Sequence, residues 1–218
     1  TLEHWMKNDF YKTNEEYLFA IADAMREEYK AIVEAGFILQ IDDPDLADAW
    51  QMHPEMSIAD YRKYQEMRID ALNHGLRDLP IDRIRFHMCW GSYHGPHKYD
   101  IPLKDIADLI LKVCAGAYSI EASNPCHDHE WRVWEDTKLP NGKILIPGVV
   151  GHYSDFIEHP QAIADRLVRY AKIVGRENVI AGTDCGIGSR VGHPQVGWAK
   201  FQAMAEGARI ATKELWGE

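Results

Sequence analysis

One pattern recurs five times along this chain: an apolar run too short for a helix, a loop, an amphipathic stretch at helical spacing, and often a closing glycine. The first helical stretch opens at Thr13, at capping-box spacing from Glu16. It carries Leu18, Ile21, Ala22, Met25, Tyr29, Ile32 and Val33 on one face and ends at Gly36. The run Phe37 to Ile41, bounded by Asp42, Asp43 and Pro44, reads as a fully buried strand. A helix over Ile58 to Leu76, capped by Ser57, leads to a second strand, Ile84 to Cys89. Leu103, Ile106, Ile110 and Val113 mark a third helix closed by Gly116, and Tyr118 to Glu121 a third strand. The fourth strand, Ile144 to Val150, precedes a helix with Pro160 near its first turn, Ile163, Leu167, Tyr170 and Val174 inward, and Gly175 at its end. Asn178 to Thr183 is the last strand, followed by a helix marked by Phe201, Met204, Ala208, Ala211 and Leu215.

Strands alternating with helices imply parallel βα units, whose sheet is covered on both faces. The repeat predicts an α/β fold of the (β/α)8 TIM-barrel type over a doubly wound sheet, because no G-x-G-x-x-G opens a helix after a strand. Gly186 and Gly188 read as turn glycines. Residues 1–218 are expected to form a single catalytic domain that lacks its N-terminal strands. The stretch before the first helix is shorter than a βα unit, which takes about 30 residues. A further N-terminal segment or a second polypeptide is therefore expected to complete the barrel. The connection from Ser123 to Lys143, with Cys126, His127, His129 and an Asn141-Gly142 turn signal, is long enough to be a lid.

At 218 residues, 46% hydrophobic and 27% charged, the chain can bury one large core. A formal charge of -10 argues against nucleic acid or an anionic membrane as partner and favours a small molecule. No apolar run approaches the roughly 20 residues that span a bilayer, and no signal peptide is evident, so a cytoplasmic location is expected. Cys89, Cys114, Cys126 and Cys185 are too few and scattered for a disulfide framework, which leaves metal or core roles. Cys114, on the apolar face of its helix, reads as a small core hydrophobe.

In a parallel barrel the loops at the carboxyl ends of the strands surround one site. His87 and Cys89 sit two apart at such an end and face one way; Glu121 ends the next strand and Cys185 follows the last. Two thiols, an imidazole and a carboxylate suit Zn²⁺ in a tetrahedral site. Each alone has a plainer reading: Cys89 a core thiol, His87 a satisfied core histidine, Glu121 a partner for an arginine such as Arg85.

Arg85 to Trp90 (RFHMCW), Glu121 at a strand end and Asp184 to Arg190 (DCGIGSR) resemble the zinc motifs of the cobalamin-independent methionine synthases, and equally those of related barrels that include epoxyalkane:coenzyme M transferases. Gln40 to Pro44 (QIDDP) resembles that family's Q-I-D-E-P segment. The resemblance covers nearly the whole chain, with the five strands matching the family's fourth through eighth. It implies zinc as cofactor, His87, Cys89, Glu121 and Cys185 as ligands, and Asp42 as the contact for a homocysteine ammonium group. It also implies methyl transfer from a folate-type donor to homocysteine, forming methionine, with Glu121 the ligand that yields its place to the substrate thiol. A free thiol of pKa near 8.5 is mostly protonated at neutral pH, and coordination to Zn²⁺ removes that proton.

The pattern departs from the family at Gly148 to Ser154 (GVVGHYS), where the family has G-V-x-D-x-H-S. His152 is offset by one residue from the family's proton donor; it is a candidate for that role or a loop histidine capping the next helix. Asp42 and Asp43 also fit as helix N-caps before Pro44, and His94 and His97 fit as substrate contacts or loop-shaping residues. Three alternatives stay open: transfer to another small thiol such as coenzyme M, an amidohydrolase-type metal hydrolase using His127-Asp128-His129 and Asp184, and a non-catalytic zinc-binding partial barrel.

Overall fold

The computed structural model describes residues 2–93, 95–188 and 190–217. Its elements run, in order, α1 Leu2–Trp5, α2 Asn14–Glu34, β1 Leu39–Asp42, α3 Asp45–Asp48, α4 Ile58–Leu76, β2 Ile84–Met88 and α5 Ala107–Ile110. After these come β3 Ala117–Ile120, α6 Val133–Asp136, β4 Ile144–Val150, α7 Pro160–Val174, β5 Gly182–Thr183 and α8 Pro194–Trp216. The long helices begin where the caps predict: the Thr13 hydroxyl accepts from the Glu16 N–H at 3.1 Å and the Ser57 hydroxyl from the Asp60 N–H at 3.2 Å.

All five strands are parallel and lie side by side in chain order. Gln40, Asp42, Arg85, His87, Ser119, Ile146 and Thr183, drawn from every strand, line one cavity of about 330 Å³. A flat sheet could not bring β1 and β5 to one cavity, so the sheet curls into a half-barrel with this cavity on its concave side. The convex side is dry. There Leu39, Phe86, Tyr118 and Leu145 share a core with Tyr61, Ile69 and Leu76 of α4, while Val149 and Val150 pack with Ile163 and Leu167 of α7 and Ala203 and Ala211 of α8. The incomplete α/β barrel expected from the repeat is the architecture observed. Among the described residues no helix is long and apolar enough to cross a membrane.

Several elements differ from expectation for identifiable reasons. Phe37 and Ile38 are 67% and 62% exposed rather than buried in a strand. The Phe37 N–H still closes the end of α2 on the Ile32 carbonyl, and β1, an edge strand hydrogen-bonded only to β2, starts at Leu39. The third predicted helix is one 3-10 turn, Leu103–Asp105, and the single turn α5. Asn73 ends it by donating to the Lys112 carbonyl and accepting from the Cys114 N–H, so neither group can continue a helix. Cys114 consequently lies exposed, not in the core. The last strand shrinks from Asn178–Thr183 to two residues plus a bridge at Val179, because the pairing with β4 shifts register between Gly148 and Val150. The long connection is not a free lid: Trp134 is buried, and Trp131 and Leu139 pack on the main core.

Candidate metal centre

β2 ends at Met88, which leaves His87 on its last turn of pleat and Cys89 just beyond; Cys185 follows β5 across the half-barrel. The ligand atoms of His87, Cys89 and Cys185 all lie within 4.8 Å of one another. Nδ1 of His87 faces the Ser119 hydroxyl at 3.4 Å, while its Nε2 is buried without a hydrogen-bond partner. Glu121, one residue past β3 and 2% exposed, accepts from the Asn124 amide at 3.1 Å through Oε2; its Oε1 is also buried and bare. Leaving such groups unpaired costs about 1–3 kcal/mol each, so a bare imidazole nitrogen and a bare carboxylate oxygen beside two thiols fit a cation better than they fit a plain core. Glu121 stands outside the tight three-residue cluster, although its charge acts on Cys89.

The two thiols act on each other. Cys185 is pushed down to about 3, first by the Cys89 thiol beside it and then by His87 and by Ser92, whose hydroxyl donates to its sulfur at 3.0 Å. Cys89 is pushed up by that same thiolate and by burial. Burial, then the negative Asp184, push the Glu121 carboxyl up to about 8. Positive charge at this spot would reverse that preference, as the donor set itself requires.

Asp184 joins the strand ends, a role the sequence did not reveal. Its Oδ1 accepts from the Ala122 and Ser123 N–H groups at 2.8 and 2.9 Å, and its Oδ2 accepts from the Ser123 hydroxyl at 2.6 Å. The residues after Glu121 are thereby tied to the residue before Cys185. Gly148 makes room for this: a Cβ there would lie 2.2 Å from Asp184 Oδ1.

A buried charged layer supports the loop after Cys89. His127 donates through one ring nitrogen to Asp100 (3.0 Å) and through the other to Glu130 (2.8 Å), and its ring stacks on Trp90 at 3.6 Å. Burial alone would lower its pKa, but the two carboxylates outweigh it and hold His127 up to about 9. Asp100 also accepts from His97 at 2.9 Å. With both nitrogens committed, His127 cannot serve in an H-x-H metal site, and Asp184 is equally committed, so the amidohydrolase reading loses its residues. His94 lies outside the described residues.

Asp42 ends β1 in register with His87, lines the concave cavity and accepts from the Gln40 amide at 2.6 Å. The cap position of α3 falls to Pro44, without a side-chain bond, rather than to Asp42 or Asp43. His152 is fully buried against Tyr153, ring centroids 3.8 Å apart, and the cap of the next helix, α7, is His159 instead. Arg85 does not pair with Glu121, whose partner is Asn124.

The family model described as the catalytic domain of cobalamin-independent synthases matches residues 4–209. The chain belongs to this family. It is 23% identical over 217 residues to the methionine synthase of Thermococcus kodakarensis, covering 99% of this chain and 56% of that protein. The methionine synthase of Sulfurisphaera tokodaii is 24% identical over 217 residues, again 99% of this chain and 55% of the relative. The chain thus spans just over half the length of these curated relatives. A solved B12-independent methionine synthase from Shewanella sp. W3-18-1, in complex with selenomethionine, superposes with a TM-score of 0.76 at 22% identity, over 96% of this chain and 59% of that one. That likeness fixes the fold as part of such a barrel.

Proposed function

We propose that this synthase-family chain carries the thiol-activating centre of a methyltransferase that passes a methyl group from a folate-type donor to the sulfur of homocysteine, forming methionine. The observation that carries the reading is the cluster of His87, Cys89 and Cys185 at the carboxyl ends of the strands, with the bare atoms of His87 and Glu121 beside it. Its donor set suits Zn²⁺, held by the three cluster residues with Glu121 as the fourth, exchangeable ligand. When bound, the ion supplies the charge that lets a small thiol give up its proton near neutral pH.

The chain's own groups do the rest. Two cysteinates and a carboxylate keep the site electron-rich, so the substrate sulfur remains nucleophilic. Asp42, on the cavity wall in register with His87, holds the substrate ammonium. The new sulfur–carbon bond forms as the donor's nitrogen–carbon bond breaks, and His152, two residues past β4, delivers the proton that the departing nitrogen takes up. Holding sulfur and methyl carbon in near-attack geometry supplies most of the rate. Further strands, on this or another polypeptide, cover the edges of β1 and β5 and close the substrate pocket.

The test is a thiol and methyl-donor screen on zinc-loaded protein, with calorimetry in buffers of different ionisation enthalpy. Methionine should form from homocysteine where the strands that close the pocket are present, and thiol binding near pH 7 should release a proton. A closed, unreactive metal site, with no proton released by any thiol that binds, would overturn the reading in favour of structural zinc.

A further inference from the structure

α8 breaks its own pattern at one position. Its buried residues run Gly197, Lys200, Ala203, Gly207 and Ala211, small side chains at helical spacing apart from the lysine, and Lys200 is 0% exposed. Lysine is almost never fully buried unless paired, so a cation in this stripe needs a reason. Its ammonium donates to the Phe156 carbonyl at 2.5 Å and to both carboxylate oxygens of Glu158, at 3.0 and 3.2 Å. Oε1 of Glu158 in turn accepts from the Gly151 N–H at 2.8 Å. A fully buried cation thus reaches, through one carboxylate, the backbone that immediately precedes His152.

Side chains, not backbone pairing, set the course of this loop. Among the described residues no backbone–backbone hydrogen bond involves residues 151–158, and Phe156 is 84% exposed. Asp155 accepts from the Gly192 N–H at 2.8 Å, which ties the loop to the turn before α8. Tyr153 donates to the Gly91 carbonyl at 2.6 Å, two residues past Cys89, and its ring lies 3.8 Å from that of His152. Burial, then the charges of Glu121 and Cys89, push the Tyr153 hydroxyl up, so it keeps the proton this bond needs. The loop is anchored on α8, and its Tyr153 rests against the chain that leaves the metal cluster.

We propose that Lys200 is a positioning residue: through Glu158 it sets where His152 and Tyr153 stand relative to the His87–Cys89–Cys185 cluster, and so sets the rate of methyl transfer. The inference rests on the reading of His152 as the proton donor. Lys200 itself lies under the loop, touches no substrate and moves no proton. A proton donor must stand within hydrogen-bond reach of the departing nitrogen, and a misplacement of about 1 Å can cost about 100-fold in rate. A purely structural pair behaves differently. Removing one partner of a buried ion pair is strongly destabilising, whereas replacing both by apolar side chains is often neutral, and only a positioning role is lost in the second case as well as the first.

The experiment compares the zinc-loaded parent with Lys200→Met, Glu158→Gln and the double variant Lys200→Met/Glu158→Leu. Thermal unfolding reports stability, NMR of the His152 ring reports its surroundings, and kcat and KM for homocysteine are measured where the strands that close the pocket are present. Lys200→Met should lower the melting temperature, and the double variant should recover it, because no unpaired charge stays buried. In both, the His152 ring signals should leave their parent positions and kcat should fall about 10- to 100-fold, while KM and bound zinc change less than about threefold. Glu158→Gln, which keeps an oxygen for the Gly151 N–H and the ammonium, should retain the ring signals and most of kcat. Should Lys200→Met fail to fold, the other two variants carry the test. If the double variant regains the parent ring signals and kcat together with its stability, the pair merely fills the core and the proposal fails. It fails equally if no variant moves either readout. If the parent itself transfers no methyl group, the proposed function fails first, and the rate-setting role of Lys200 falls with it.

Discussion

Neutralising His127 tests the charged layer behind the metal loop. The imidazolium sits between Asp100 and Glu130, stacks on Trp90, and also feels the charge of Glu121; His97 binds the same Asp100. Its pKa is held up to about 9 from an ordinary value of 6.5. A group whose folded pKa is raised gives stability that is fully present below the unfolded value and is lost as pH rises through the folded one. Taken at face value the shift corresponds to about 3 kcal/mol, present at pH 6 and largely gone by pH 10. The variant His127→Gln keeps one amide donor but no charge; Asp100 keeps His97 and Gln51 and Glu130 keeps the Leu103 N–H, but the two carboxylates lose the cation between them, which should cost about 3–5 kcal/mol near pH 6. Denaturant unfolding of both proteins at fixed metal content, from pH 6 to 10, provides the assay, because their difference cancels other titrating groups. That difference should shrink across pH 8 to 10. A gap that stays constant with pH, or an imidazole titrating below 6.5 by NMR, would refute the account of His127 as a buried cation.

Asp184→Ala strips the acceptor from two backbone N–H groups and one hydroxyl. It should lower stability by about 2–5 kcal/mol and weaken metal binding, whereas Asp184→Asn, which keeps an oxygen for the backbone donors, should retain most of both; equal losses would deny the clamp. Cys185→Ser and Cys89→Ser should each reduce bound zinc and remove sulfur-to-cobalt charge-transfer intensity, and unchanged zinc in both would sink the ligand assignment. The exposed Phe37, Ile38 and Ile180 beside the edge strands β1 and β5 should make this segment alone associate at micromolar concentrations, so a monodisperse monomer on sizing would count against open edges.

Much of this was legible because local signals and global fold agreed. Thr13, Ser57 and Pro160 mark helix starts that the structure keeps, and the period-two pattern of β2 placed His87 and Cys89 on one side correctly. What failed did so where a distant side chain overrules a local pattern. The spacing of Leu103, Ile106, Ile110 and Val113 is helical, but Asn73, from α4, takes the backbone groups at Lys112 and Cys114, and no inspection of residues 103–113 could show that. Asp184 could be read as a neighbour of Cys185 or as a hydrolase carboxylate, but not as a clamp, because its partners Ala122 and Ser123 lie 62 and 61 positions away in the chain. His127 looked like half of a metal-binding pair until the fold set a carboxylate at each ring nitrogen.

These contacts share a logic that bears on how the centre is built. The proposed ligands come from three separate strand ends, and regular pairing stops short of most of them: β3 ends before Glu121, β2 before Cys89, and β5 is two residues long. Curling a parallel sheet gathers such ends to within several ångströms, but ligands must be held far more closely than that to favour one ion. Each end is therefore fastened by a buried polar contact from outside the ligand set: Asp184 ties the turn after Glu121 to the position before Cys185, and the His127 layer stacks beneath Trp90, next to Cys89. Both fasteners place charge in a dry interior, which is costly unless every partner is in place. On the proposed reading the chain gives up stability for a fixed donor set, and the residues that bring the partners, Asp100, the run 122–130 and Asp184, lie outside the strands and α-helices, where the backbone is irregular.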